Sequence, residues 1–303
     1  MTPHPPGPPP RKQGRGSVAS KEVALVALAA CAFATASPIA KGLAGLSFAG
    51  IGAGRCAVAA VALWAISPVA TWRAVRAVDA RRRLALVGAG LLLAAHFGLF
   101  LAGLLSTSLP AASALVALEP IAVVLTAWMA FGVRPRRREM AGIAIATLGA
   151  AVVAQGAGQG EQRLLGDALV LGAVVIFGAY VAFARGLRDA LPTTPYAACV
   201  YTVAALALAP LVLVFDAGAA GIPTSTWLGV AALGLVPTLI GHTLVQRAAR
   251  YVSPSLVALA SPGETVGAIL IGAAMGHMPT SLEWTGAAIV VAGACVTVMG
   301  AGG

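Results

Sequence analysis

The chain has 303 residues, 59% hydrophobic and only 10% charged, with a mean hydropathy of +0.91. A soluble domain carries about 25% charged residues, so this composition cannot cover a water-facing surface and points to a multi-pass membrane protein. The net charge of +10 does not argue for nucleic acid, because the basic residues cluster between apolar runs, where the positive-inside rule puts them.

Residues 1–20 are rich in Pro, Gly and basic side chains (PHPPGPPPRKQGRG) and are expected to form a disordered basic arm on the cytoplasmic side. Ten apolar runs follow, at roughly 21–40, 48–70, 84–105, 110–132, 139–156, 166–187, 195–215, 226–246, 254–276 and 283–300. Each approaches the roughly 20 residues that a spanning helix needs. Leu28-Ala29-Ala30-Cys31 has the look of a lipoprotein cleavage box, but it reads more simply as chance in an alanine-rich helix. The cysteines, Cys31, Cys56, Cys199 and Cys295, are dispersed and form no metal pattern or disulfide framework.

Charge asymmetry tests this ladder. With the N-terminus cytoplasmic, Lys41 and Arg163 are the only basic residues in outer loops, and Arg55 falls within a span. All the others precede the first span or lie in the inner loops at Arg73–Arg83, Arg134–Arg138, Arg185–Arg188 and Arg247–Arg250. A wrong number of spans would scramble that split, so both termini are predicted to be cytoplasmic.

The fourth and ninth runs are rough copies. PAASALVALEPIAVVLTAWMAFG (110–132) and PSLVALASPGETVGAILIGAAMG (254–276) both begin with a proline and carry one carboxylate, Glu119 or Glu264. His96 and His242, Gly132 and Gly276, and Gly142 and Gly286 fall into the same correspondence. An odd number of spans per copy implies two inverted five-helix repeats, 21–157 and 158–303, with a substrate site near the midplane between them. The expected fold is therefore an all-α integral membrane protein of ten transmembrane helices.

The chain resembles the EamA-type ten-helix permeases of the drug/metabolite transporter superfamily. The resemblance is carried by SPIAKGL at the end of span one, Arg55, Leu118-Glu119-Pro120, and GHTLVQRAARYVSPSLVALASPGETVGA across spans eight and nine. It covers nearly everything from Lys21 onward. The second copy departs from it, with Thr265 after Glu264 and Pro262 before. The resemblance implies transport, with export the favoured direction, and implies that spans three and eight line a central cavity.

Candidate site residues follow from cost. A carboxylate within a span is expensive and marks function by default, so Glu119 and Glu264 are candidates to bind a proton, a cation or an amine. Either can equally be a structural hydrogen-bonding group. His96 and His242 can relay protons or contact substrate, or simply bond within the bundle. Gln246, one turn from His242, extends the same face. Arg55 can meet an anionic group or snorkel. Trp64, Trp128, Tyr180 and Tyr201 read as interfacial anchors before ligand-stacking groups, and Pro210 and Pro237 as hinges.

There is no nucleotide-binding motif and no soluble domain large enough for an ATPase, and no cofactor or metal is expected. The leading function is a secondary transporter for a small, plausibly amino-acid-like metabolite, working by alternating access in the cytoplasmic membrane. An integral-membrane enzyme on lipid-linked substrates would need clustered acids at a membrane face; Glu161 and Asp167 lie close together but lack that pattern. A small-solute channel would not need paired halves with buried titratable groups. The expected partners are a small-molecule substrate and membrane lipid, with a homodimer left open.

Overall fold

The structure is a computed structural model that describes residues 13–107, 112, 115–156, 164–187, 189–274 and 279–301. The first twelve residues of the expected arm, Pro110, the outer loop at Gly160 to Arg163 and Gly276 lie outside them. The described secondary structure is helical: α1 (Gln13–Phe33), α2 (Ala36–Lys41), α3 (Phe48–Ile66), α4 (Pro68–Ala77), α5 (Ala80–Ser106), α6 (Glu119–Phe131), α7 (Arg137–Gly156) and α8 (Leu164–Gly186). Then come α9 (Thr193–Phe215), α10 (Thr224–Leu233), a π-helix π1 (Gly234–His242), α11 (Thr243–Tyr251), α12 (Pro254–Val257), α13 (Ala260–Ala274) and α14 (Ser281–Ala301).

Eight of these helices or helix runs are long and apolar enough to cross a membrane. The apolar runs expected at 110–132 and 139–156 correspond to the shorter α6 and to α7. Helix α1 starts at Gln13, earlier than hydropathy suggests, because the last proline of the arm is Pro10. Caps set other boundaries. The Ser47 hydroxyl accepts from the backbone N–H of Ala49 at 3.1 Å to open α3, and Asp79 accepts from Arg82 N–H at 2.8 Å to open α5. That bond holds the Asp79 carboxyl below its ordinary pKa.

The packing keeps its pattern when the halves are exchanged. Helix α5 packs on α8 as α1 packs on π1 and α11; α6 packs on α8 as α13 packs on α1; α5 packs on α9 as π1 packs on α3. The self-corresponding pairs run antiparallel. In α3 and α9, Gly52 meets Leu208, while Trp64 donates to Thr202 at 3.1 Å. In α7 and α14, Gly142 faces Gly293 and Gly149 faces Gly286. A Cβ on Gly293 would sit 2.4 Å from the Ala146 backbone nitrogen, and one on Gly149 would sit 2.6 Å from that of Val290. Seven-residue glycine spacing puts these positions on one face of each helix, so the backbones touch. Sequence comparison matched Gly142 to Gly286 as copies; the structure pairs them with other glycines across the interface.

Both carboxylate-bearing regions contain a broken helix, and a shared tetrapeptide marks the break. Leu115-Val116-Ala117-Leu118 and Leu256-Val257-Ala258-Leu259 each lead into a turn at the Ala-Leu pair. The bonds repeat too: Leu118 N–H to Leu115 O at 3.0 Å matches Leu259 N–H to Leu256 O at 3.1 Å, and Ala122 to Leu118 matches Gly263 to Leu259. In this register Glu119 does not correspond to Glu264. Glu119 follows the break directly, and Glu264 lies one turn deeper, beyond Ala260, Ser261, Pro262 and Gly263.

Candidate functional site

A cavity of about 30 Å³ lies between the halves, lined by Arg55, His96, Glu119, His242 and Glu264 together with Phe33, Phe97, Phe100 and Phe177. That volume has room for roughly two waters. Five of the six residues singled out from sequence therefore converge on one space, although they come from five different helical segments.

Arg55 is 2% exposed. Its Nε donates to Thr238 Oγ1 at 2.7 Å, and its Cζ lies 4.0 Å from the centroid of the Phe97 ring. Thr238 in turn donates to the Leu233 carbonyl at 2.7 Å. These bonds explain the π-helix. Pro237 cannot supply an N–H to the ladder, and a wider turn lets Thr238 and its carbonyl be satisfied from neighbouring helices. Tyr201 donates to the Thr238 carbonyl at 2.9 Å and lies 2.9 Å from Thr243 Oγ1. Short π segments recur at functional sites; this one ends on His242.

His96 Nδ1 lies 3.0 Å from the Ala173 carbonyl. A carbonyl only accepts, so Nδ1 carries a proton and Nε2 is left to accept in the neutral ring. His242 is ringed by Phe33 at 4.8 Å, Phe97 at 4.9 Å, Tyr180 at 5.9 Å, His96 at 6.0 Å and Phe177 at 6.1 Å, centroid to centroid. Its Nδ1 is buried with no hydrogen-bond partner among the described residues. Gln246 does not line the cavity: its amide donates to the Tyr180 hydroxyl behind His242. Tyr180 and Tyr201 are fully buried, which corrects their reading as interfacial anchors; bonds to Gln246 and Thr238 satisfy their hydroxyls inside the bundle.

The carboxylates differ. Glu119 is buried and accepts a hydrogen bond from the Ser261 hydroxyl. Glu264 is half-buried, within electrostatic reach of both Arg55 and Glu119, with the Ser37 side chain against it. One guanidinium and two carboxyls make an electroneutral set when a single proton is held between the acids.

Polar contacts close both ends of the bundle. At one end Arg247 pairs with Glu22 at 3.1 Å, Arg185 donates to the carbonyls of Ala249 and Val252, and Arg250 donates to that of Leu191. At the other, Asp216 accepts from both the N–H and hydroxyl of Ser47 at 2.6 and 2.7 Å. Beside it Lys41 donates to the Thr107 carbonyl at 2.8 Å, and Thr107 donates to Asp167 at 2.7 Å.

Sequence reading missed Ser37, Ser261 and Thr238, which carry no signal of their own. Only Pro237, expected as a hinge, hinted at an irregular helix beside Thr238.

The EamA-like transporter family matches this chain twice, over residues 20–155 and 164–299. The chain belongs to the EamA-like transporter family. This EamA-like protein is thus a multi-pass membrane transporter protein, and the family comprises transporters rather than enzymes. No match was found among curated proteins. One solved structure, described only as a crystal structure of a protein, has a TM-score of 0.74 at 19% identity, covering 95% of this chain and 99% of its own; it shows the shared fold.

Proposed function

We propose that this protein is a secondary transporter that exports a small, amino-acid-like metabolite across the cytoplasmic membrane by alternating access. Its ten spans form two inverted five-helix repeats, with both termini cytoplasmic. The convergence of Arg55, His96, Glu119, His242 and Glu264 from both halves on one cavity carries this reading. Arg55 suits a substrate carboxylate, and Glu119 and Glu264 suit an ammonium group or a coupling proton. The antiparallel glycine-paired α7 and α14, and the packing that survives exchange of the halves, support the inverted arrangement. A cavity with room for roughly two waters, in a bundle tied at one end by the Arg247–Glu22 pair and at the other by the Ser47–Asp216 hydrogen bonds, suits an intermediate that opens when the halves rock.

Flux into proteoliposomes tests the proposal. Saturable uptake or counterflow of an amino acid is expected; non-saturating flux would favour a channel, and turnover of a lipid-linked substrate an enzyme. Topology has its own measurement. In a cysteine-free background, Arg137→Cys should resist an impermeant thiol reagent added outside intact cells, and labelling there would overturn the orientation.

A further inference from the structure

A second cavity, of about 200 Å³, lies away from the central one. It is walled by Arg134, Arg136 and Glu139 at the α6–α7 connection and by Ser253 and Ser255 at the start of α12, with Val124 at its apolar side. We propose that this cavity binds a phosphate-bearing anion. Topology alone accounts for arginines in this loop. It does not account for Arg134 and Arg136 lining one hollow together with Ser253 and Ser255.

The chemistry of the walls suits phosphate. Guanidinium groups are planar forks that match phosphate oxygens. The Ser253 hydroxyl accepts from Leu256 N–H at 3.4 Å to cap α12, which leaves its own proton to donate. Ser255 is 1% exposed yet lines the hollow. Arg136 is partly engaged, its Nη1 donating to the Gly300 carbonyl at 2.9 Å, and so is the one lining acid: Glu139 Oε2 accepts the backbone N–H of Arg136 at 2.8 Å. Arg137 and Arg138 are exposed and do not line the hollow.

The neighbouring surface favours a lipid as the carrier of that phosphate. Ile121, Leu125, Trp128 and Met129 form a single exposed stripe along α6, at 38%, 45%, 46% and 85% exposure. The stripe faces acyl chains and ends at the loop that holds Arg134 and Arg136, where a headgroup would sit. A bound headgroup would join the connection after α6 to the connection before α12, the two approaches to the broken helices. Only the choice of leaflet rests on the orientation proposed above; binding can be measured without transport.

The test uses the purified full chain in detergent, with native mass spectrometry and thermal melts. The probes are dioleoylphosphatidylglycerol, dioleoylphosphatidylcholine and inorganic phosphate. Phosphatidylglycerol should be retained and should raise the melting temperature, and phosphatidylcholine should do neither. Arg134→Gln should weaken phosphatidylglycerol binding about fivefold, the effect of losing about 1 kcal/mol, and Ser255→Ala should weaken it in the same direction. Arg137→Gln removes the same charge outside the cavity and should weaken binding less than Arg134→Gln does, because it lacks direct contact with the headgroup. A melting shift with inorganic phosphate alone supports the site and assigns it to a soluble ligand. Equal retention of both lipids with no response to phosphate, or equal loss in Arg134→Gln and Arg137→Gln, would overturn it.

Discussion

In the first half the turn at Ala117–Leu118 runs directly into Glu119; in the second, the turn at Ala258–Leu259 runs into Ala260 and Ser261, and the carboxylate comes only at Glu264. The backbone bonds around the two turns repeat closely, so the duplicated tetrapeptide encodes a duplicated break. The side chains then diverge. Glu119 is buried and hydrogen-bonded by Ser261, a residue of the opposite half. Glu264 is half-buried and shares the cavity with Arg55. A repeat can thus conserve a backbone device while splitting its chemistry: both acids line the cavity beside a serine of the opposite half, Ser261 or Ser37, and Glu264 is the one set within electrostatic reach of Arg55.

The strongest test of that division is Glu264→Gln. It removes the acid within electrostatic reach of Arg55 while keeping its shape, so gradient-driven flux in proteoliposomes should fall about tenfold or more, the effect of about 1.4 kcal/mol on the limiting step. Wild-type flux at matched protein content would return Glu264 to the scaffold. Arg55→Lys should come next. Lysine lacks the Nε–H that reaches Thr238 and the planar group over Phe97, so flux should drop several-fold, and the melting temperature should fall with it. A normal melt and normal transport would detach the π-helix from the mechanism.

Glu119→Gln should do less, about a twofold change in flux, because the amide oxygen still accepts the Ser261 hydroxyl, a bond worth about 1 kcal/mol. A loss as deep as that of Glu264→Gln would erase the proposed difference between the two acids. Ser261→Ala should have the smallest effect on transport and a measurable one on stability, about 1 kcal/mol by denaturant or thermal unfolding in detergent. If it instead abolished flux with stability intact, the serine would belong to the transport path rather than to the joint between halves.

Hydropathy, charge and duplication were legible in the sequence because each is a property of many residues summed along the chain. A run of apolar side chains must meet lipid, arginines stay inside, and a copied segment repeats its neighbours. Those sums gave the membrane class, the candidate helices and five of the residues that meet at the cavity. They could not align the two acids correctly, because matching by proline and carboxylate spacing ignores where the helix breaks. Nor could they find the partners. Arg55 reaches Thr238 across 183 positions, and Ser261 reaches Glu119 across 142. Local pattern sets which segments become helices; only packing brings a hydroxyl on one half against an acid on the other.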